Sequence, residues 1–303
     1  MSTAQIRGVV PILVTPFDEE GAIDESSLKS LIEFNIAGGV HGLGVALGSE
    51  VFKFNEAERD RVITCVVGTV RKRIPVVINS GAAGTDLAVY YSRRAEELGA
   101  DALMVIPPNF MPVAAEEIAD YYRRISTAVS IPIFLQDVPQ APISPALALR
   151  IVGECEHVRY IKVETLPVTS KVADMARVAG DKITIFGGAG GSYFIEEMRR
   201  GSVGTMPFCS QPEDFVKVWD LYRAGDETGA RRAFDDRIMA VNRLGGQGGD
   251  LFYHLHKQIL VRRGVIRTAH VRSPTIVVDP VTQREIDALL AEMWPAAKAF
   301  EAA

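Results

Sequence analysis

The chain has 303 residues, 48% of them hydrophobic and 23% charged, with a formal net charge of −5. This is enough apolar material for a large core, and no stretch has the composition of a disordered tail. The acidic balance leaves no basic footprint, which argues against nucleic acid or an anionic membrane surface as the main partner.

Short β-branched runs alternate with longer helical patterns along most of the chain. Candidate strands are Val9–Val14, Leu43–Leu47, Pro75–Asn79, Ala102–Ile106, Pro132–Gln136, Val158–Val163, Ile183–Phe186 and Ser202–Met206. Helical patterns fall at Glu25–Ala37, Glu56–Val70, Thr85–Leu98, Ala115–Val129, Pro145–Val152, Val168–Val178, Tyr193–Arg200 and Pro212–Ala224. Asp24 and Ser144 read as helix N-caps, Pro145 suits a first helical position, and Gly99 suits a helix end. Strand–helix units repeated in this way predict an α/β fold, a (β/α)8 TIM barrel over residues 1–225. After Gly225 the alternation stops. Helical patterns at Glu227–Leu244, Asp250–Arg263 and Thr282–Phe300 predict a C-terminal helical extension over 226–303, with Gly245–Gly249 as a linker.

Cys65, Cys155 and Cys209 are too few and too scattered for a disulfide framework or a zinc site. Each is expected as a small buried apolar residue. The start lacks a basic segment followed by an apolar stretch, and no later run is long enough to span a bilayer. A soluble, cytoplasmic protein with no membrane partner is expected.

Lys162 carries the most information. Period-two alternation in Val158–Val163 puts Tyr160, Lys162 and Glu164 on one face, opposite Ile161 and Val163. A strand lysine is ordinarily solvated and ion-paired, here with Glu164. An inner barrel strand covered by helices reverses that expectation. Burying an ammonium is costly, so an interior lysine tends to lose its proton and become a nucleophilic amine.

Reactive residues of such a barrel lie at the carboxyl ends of its strands. Those ends hold Thr15, Gly48-Ser49-Glu50, Asn79-Ser80, Pro107-Pro108-Asn109, Gln136-Asp137, Lys162 with Glu164, Gly187–Gly191 and Pro207. Lys162 is the only lysine among them. They include no histidine and no carboxylate cluster dense enough for a metal cage, so neither a metal nor a cofactor is expected.

An ordered series of short matches then becomes specific. It begins with Gly8-Val9-Val10-Pro11, Thr15-Pro16-Phe17 and Gly21-Ala22-Ile23-Asp24, and runs on through Gly39-Val40-His41-Gly42 and Leu47-Gly48-Ser49-Glu50. It continues with Asn55-Glu56-Ala57-Glu58-Arg59, Leu98-Gly99-Ala100-Asp101-Ala102, Pro107-Pro108, Ile131-Pro132-Ile133 and Ile161-Lys162. Along nearly its whole length the chain resembles the dihydrodipicolinate synthase/N-acetylneuraminate lyase family of Schiff-base aldolases and dehydratases. The resemblance implies a (β/α)8 barrel with C-terminal helices, a homo-oligomer (tetramer or dimer), and Lys162 as the Schiff-base lysine.

The departures narrow it. Where the family's synthases and lyases carry a Tyr-Asn pair after the fifth strand, this chain has Gln136 and Asp137. Ala141 stands at the position of a synthase arginine, and Pro108 and Asn109 replace tyrosines after the fourth strand. Lysine-biosynthetic condensation is therefore disfavoured. Gln136-Asp137-Val138-Pro139 and Lys162-Val163-Glu164 are instead similar to the sugar-acid dehydratase side of the family.

A 2-oxo acid is the expected small-molecule partner. Its carboxylate would meet backbone N–H groups at Gly48-Ser49, and Lys162 would attack its ketone to form an imine. Glu164, or otherwise Asp137, would remove a C3 proton. Gly48, Ser49, Glu50, Asn79, Asn109, Gln136 and Gly188 form the expected substrate-binding set, with Phe110 and the Gly187–Gly191 loop also bearing on specificity. Loss of a C4 hydroxyl would make a dehydratase of a 2-keto-3-deoxy sugar acid. The alternatives are an aldolase releasing pyruvate and an aldehyde, a synthase-like condensation, and a non-catalytic 2-oxo-acid-binding protein.

Overall fold

The computed structural model describes residues 5–111 and 113–302. Among them the chain forms a (β/α)8 barrel with additional C-terminal helices. Its strands are β1 (Gly8–Val9), β2 (Leu43–Val45), β3 (Val76–Asn79), β4 (Ala102–Val105), β5 (Ile133–Asp137), β6 (Val158–Val163), β7 (Thr184–Gly187) and β8 (Gly204–Thr205). All are parallel, in the order β1-β8-β7-β6-β5-β4-β3-β2. The helices are α1 (Glu25–Ala37), α2 (Glu56–Val70), α3 (Thr85–Glu97), α4 (Ala115–Ala128), α5 (Pro145–Glu154), α6 (Val168–Ala179), α7 (Phe194–Met198), α8 (Pro212–Arg223), α9 (Glu227–Arg237), α10 (Met239–Gly245), α11 (Leu251–Arg262) and α12 (Pro280–Met293).

Residue contacts divide the chain into two units. The first takes in the chain up to Val10, His41–Ala46 and Lys72–Pro207, and so contains every strand. Its strands are buried nearly throughout, as parallel strands covered on both faces must be. The ladder ends at β1 and β2, and His41 joins those two edges. Its N–H donates to the Val9 carbonyl at 2.8 Å, and its Nδ1 accepts from the Val9 N–H at 3.1 Å. A side chain thus supplies one bond that a ladder would otherwise provide. The expected first strand, Val9–Val14, is limited to Gly8–Val9. Pro11 has no N–H to continue it.

The second unit takes in Pro11–Val40, Leu47–Arg71 and the chain from Phe208 onward. Asp24 caps α1 by accepting from Ser27 N–H, and Asn55 with Glu58 forms a complete capping box on α2. Val241, Leu244, Leu251, Leu255, Ile259, Ile286 and Leu290 form an apolar cluster among α10, α11 and α12. Burial of each large aliphatic chain there contributes about 1.5–3 kcal/mol. The pattern expected as one helix over 227–244 is two, divided at the fully buried Ile238 (φ −102°, ψ −43°). Helix α12 stops at Met293 rather than reaching Phe300. Trp294 precedes Pro295 and adopts φ −136°, ψ 72°, since a residue before proline is pushed out of the α region.

This unit also buries a charge cluster. The Glu50 carboxylate accepts from Lys257 Nζ at 2.6 Å and from Lys53 Nζ at 2.9 Å, with Glu50 and Lys257 both fully buried. Burial pulls the Lys257 ammonium down to about 8 against the upward pull of Glu50. Cys65, Cys155 and Cys209 are all buried free thiols, as their spacing suggests.

Candidate active site

The site is built on β5, β6 and β7. Register pairs Lys162 with Gln136 on one side and Phe186 on the other, so the three share the same level of neighbouring strands. One residue pair lower, Tyr160 lies beside Phe134 with rings stacked 4.3 Å apart, and Phe186 meets Phe134 edge-on at 5.5 Å. The Tyr160 hydroxyl accepts from the Ile6 N–H, which ties it to the backbone. Lys162 therefore stands above an aromatic floor, and the residue is only 4% exposed.

Lys162 Nζ is 3.0 Å from Glu164 Oε1. The Glu164 side chain is 18% exposed, so the pair reaches solvent on the glutamate side. Two further contacts fix that carboxylate. Ala189 N–H donates to Oε1 at 3.2 Å, and Gln136 Nε2 donates to Oε2 at 3.4 Å. Gln136 Oε1 is left buried without a hydrogen-bond partner among the described residues. The amide cannot profitably flip, because its oxygen would then face the carboxylate. The site thus holds an acceptor that lacks a donor.

Gly188 makes room for this arrangement. A Cβ at residue 188 would stand 2.3 Å from Glu164 Cγ and 2.8 Å from its Cδ. The glycine loop expected to govern specificity also holds the carboxylate that faces Lys162.

Asp137 lies deeper, fully buried at the end of β5. Its Oδ1 accepts from Lys171 Nζ at 2.6 Å, Thr165 Oγ1 at 2.8 Å and Ile143 N–H at 2.8 Å, while Oδ2 accepts from Thr165 N–H at 3.2 Å. These bonds tie together the segments after β5 and β6. Asn79 is buried at the end of β3, where its Nδ2 donates to the Met104 carbonyl at 3.3 Å. Asn109 is exposed on the segment after β4, and Phe110 is 82% exposed.

Gly48, Ser49 and Glu50 belong to the second unit. Ser49 Oγ donates to the Leu13 carbonyl, and its own carbonyl accepts from Thr15 Oγ1 at 2.8 Å. Both oxygens of Glu50 are engaged by lysines within that unit.

The sequence patterns did not single out Glu197 on α7. It is fully buried, and neither carboxyl oxygen has a hydrogen-bond partner among the described residues. Burial pushes it up to about 8, Glu164 and Glu196 add to that, and Lys162 opposes it. Its spacing held a signal. Glu197 follows Phe194 by three residues and so shares the buried face of a short helix. Lys171 was also missed; it stands three residues after the buried Val168 in the first turn of α6.

A parallel barrel with a buried lysine–glutamate pair at the end of its sixth strand is one form of a widely used enzyme scaffold. The sequence model of the dihydrodipicolinate synthetase family matches residues 5–293, and the chain belongs to that family. An L-2-keto-3-deoxyarabonate dehydratase from Azospirillum brasilense is 28% identical over 301 residues, covering 97% of this chain and 96% of the relative. A 4-hydroxy-tetrahydrodipicolinate synthase from Acidithiobacillus ferrooxidans is 32% identical over 254 residues, covering 81% of this chain and 83% of the relative. The crystal structure of a dihydrodipicolinate synthase from Rhodopseudomonas palustris superposes with a TM-score of 0.86 at 27% identity, covering 94% of this chain and 97% of that one. Relatives in this family are enzymes of small molecules, dehydratases and synthases among them. No helix among the described residues is long and apolar enough to cross a membrane.

Proposed function

We propose that the protein is a Schiff-base-forming lyase that dehydrates a 2-keto-3-deoxy sugar acid. The observation carrying this reading is the Lys162–Glu164 contact of 3.0 Å on a buried strand end. A lysine and an acid/base group within reach of one carbon are the minimum for imine chemistry.

In this scheme Glu164 takes a proton from Lys162, and the neutral amine attacks the C2 ketone. Glu164 returns that proton to the departing hydroxyl, so loss of water leaves a protonated imine that withdraws electrons from C3. Glu164, again a carboxylate, removes a C3 proton and passes it to the C4 hydroxyl, which the resulting enamine expels as water. Hydrolysis of the imine frees Lys162. Gln136 Oε1 receives a substrate hydroxyl, which would satisfy its lone pairs. Asp137 serves the site by position, holding Thr165 and Lys171 around the end of β6. No cofactor enters the scheme, and the homo-oligomer belongs to it by family resemblance.

The dehydratase reading is favoured over condensation by Gln136-Asp137 at the end of β5 and by the buried Ala141, where no arginine is available for a second carboxylate. Similarity to a keto-deoxy acid dehydratase over 97% of this chain supports the same side. The test is to supply pentonic and hexonic 2-keto-3-deoxy acids and follow two products in coupled assays. A dehydrated oxo-acid semialdehyde without pyruvate is expected. Pyruvate with an equal amount of aldehyde would establish an aldolase instead.

A further inference from the structure

Glu197 and Glu164 lie against consecutive α-carbons of one dipeptide. A Cβ on Gly187 would stand 1.7 Å from Glu197 Oε2 and 2.4 Å from its Cδ, while a Cβ on Gly188 would meet Glu164 Cγ at 2.3 Å. Gly187 ends β7 and Gly188 follows it, so the two carboxyls pack against neighbouring backbone positions at the end of one strand. Glu197 is fully buried, and both its oxygens lack a hydrogen-bond partner among the described residues. An ionised carboxylate there would be costly to keep, so the group is an uncharged acid.

We propose that Glu197 is a positioning residue of the site, a carboxyl sealed behind Gly187 that sets the charge balance of the Lys162–Glu164 pair without touching substrate. This rests on the reading of that pair as the reacting groups. The charged groups that act on it are Glu164 and Lys162, just after and on β6, and Glu196 beside it on α7. On α6, Lys171 is committed to Asp137, and Asp174 pairs with Arg177 at the surface. Strands β7 and β8 contribute no ionisable side chain, and Thr205, in register with Gly187, has a buried hydroxyl without a partner among the described residues.

While Glu197 keeps its proton, Glu164 is the carboxylate paired with Lys162 among the described residues. Once Glu197 ionises, a second negative charge joins the pair, and passing a proton from Lys162 to Glu164 becomes less favourable. Burial pushes the Glu197 carboxyl up to about 8, so the loss is expected on the alkaline side.

The experiment follows exchange of the methyl hydrogens of pyruvate in deuterated water, which needs only the imine and the C3 base. Exchange by the wild-type protein is expected to fall above a pH of about 8. Glu197→Gln should move that limb upward by about one pH unit or more. An unmoved limb in the variant overturns the proposal. Glu197→Leu replaces it if the glutamine variant does not fold. In parallel, carboxyl NMR with labelled glutamate should show one group titrating near 8 that is missing in the variant. If no such group exists, the proposal fails. Wild-type protein that shows this group but exchanges no hydrogen would refute the imine reading instead.

Discussion

Glu164 fills the space that a side chain at residue 188 would need, with its Cγ 2.3 Å from the position of a Cβ on Gly188. The loop after β7 therefore seats the carboxylate, and the Ala189 N–H completes the seat at 3.2 Å. Gly188→Ala should displace Glu164 from Lys162. Turnover is expected to drop by roughly a hundredfold, because misplacing a reacting group by about an ångström costs that much. Folding should survive, since Glu164 can swing toward solvent. Near-normal turnover with alanine would show that this contact does not govern catalysis.

Glu164→Gln separates imine formation from proton removal. The amide keeps nearly the same shape but cannot accept the C3 proton. Imine formation with pyruvate should remain detectable while turnover falls roughly 10²- to 10⁴-fold, the usual contribution of a general base. Steady-state rates set beside trapping yields would check this. Turnover close to wild type would remove Glu164 from the role of base.

Much of this arrangement was legible in the residues. Strand β6 has the bounds that its alternation predicts, and α1 and α2 run as their periodicity and caps indicate. Lys162 and Glu164 could be paired from sequence because strand residues two apart share a face. The partners of Asp137 could not. Lys171 lies 34 residues away in the chain and Thr165 lies 28, and only the pairing of β5 with β6 brings them to one carboxylate. Glu50 was expected to bind substrate; its buried partner Lys257, 207 residues distant, could not be read from the chain. Glu197 stood in a helical pattern of mixed charge, and only its three-residue offset from Phe194 set it apart from its neighbour Glu196.

The Glu50–Lys257 pair should prove structural. Glu50→Ala would leave Lys257 fully buried without its carboxylate and Lys53 unpaired from it. Breaking a buried pair from one side costs about 3–5 kcal/mol. Urea unfolding should register a loss of that order. A change below about 1 kcal/mol would mean that the lysines find other compensation.

Stability should also report Glu197. The folded carboxyl is raised from 4.5 to about 8, so between those values the folded protein holds a proton that the unfolded chain has lost. Stability must fall as pH rises through that window and level off above it. Relative to Glu197→Gln, the wild-type protein should lose about 1.4 kcal/mol per pH unit there. Parallel curves for the two proteins would place the charge elsewhere.

The most direct measurement is reduction with borohydride in the presence of pyruvate, followed by peptide mass analysis. An attacking amine at the end of β6 should yield one stable adduct per chain, a reduced pyruvyl group on Lys162, and Lys162→Arg should yield none. Pyruvate bound without any covalent product, or an adduct on another lysine while Lys162 stays unmodified, would contradict the mechanism at its root.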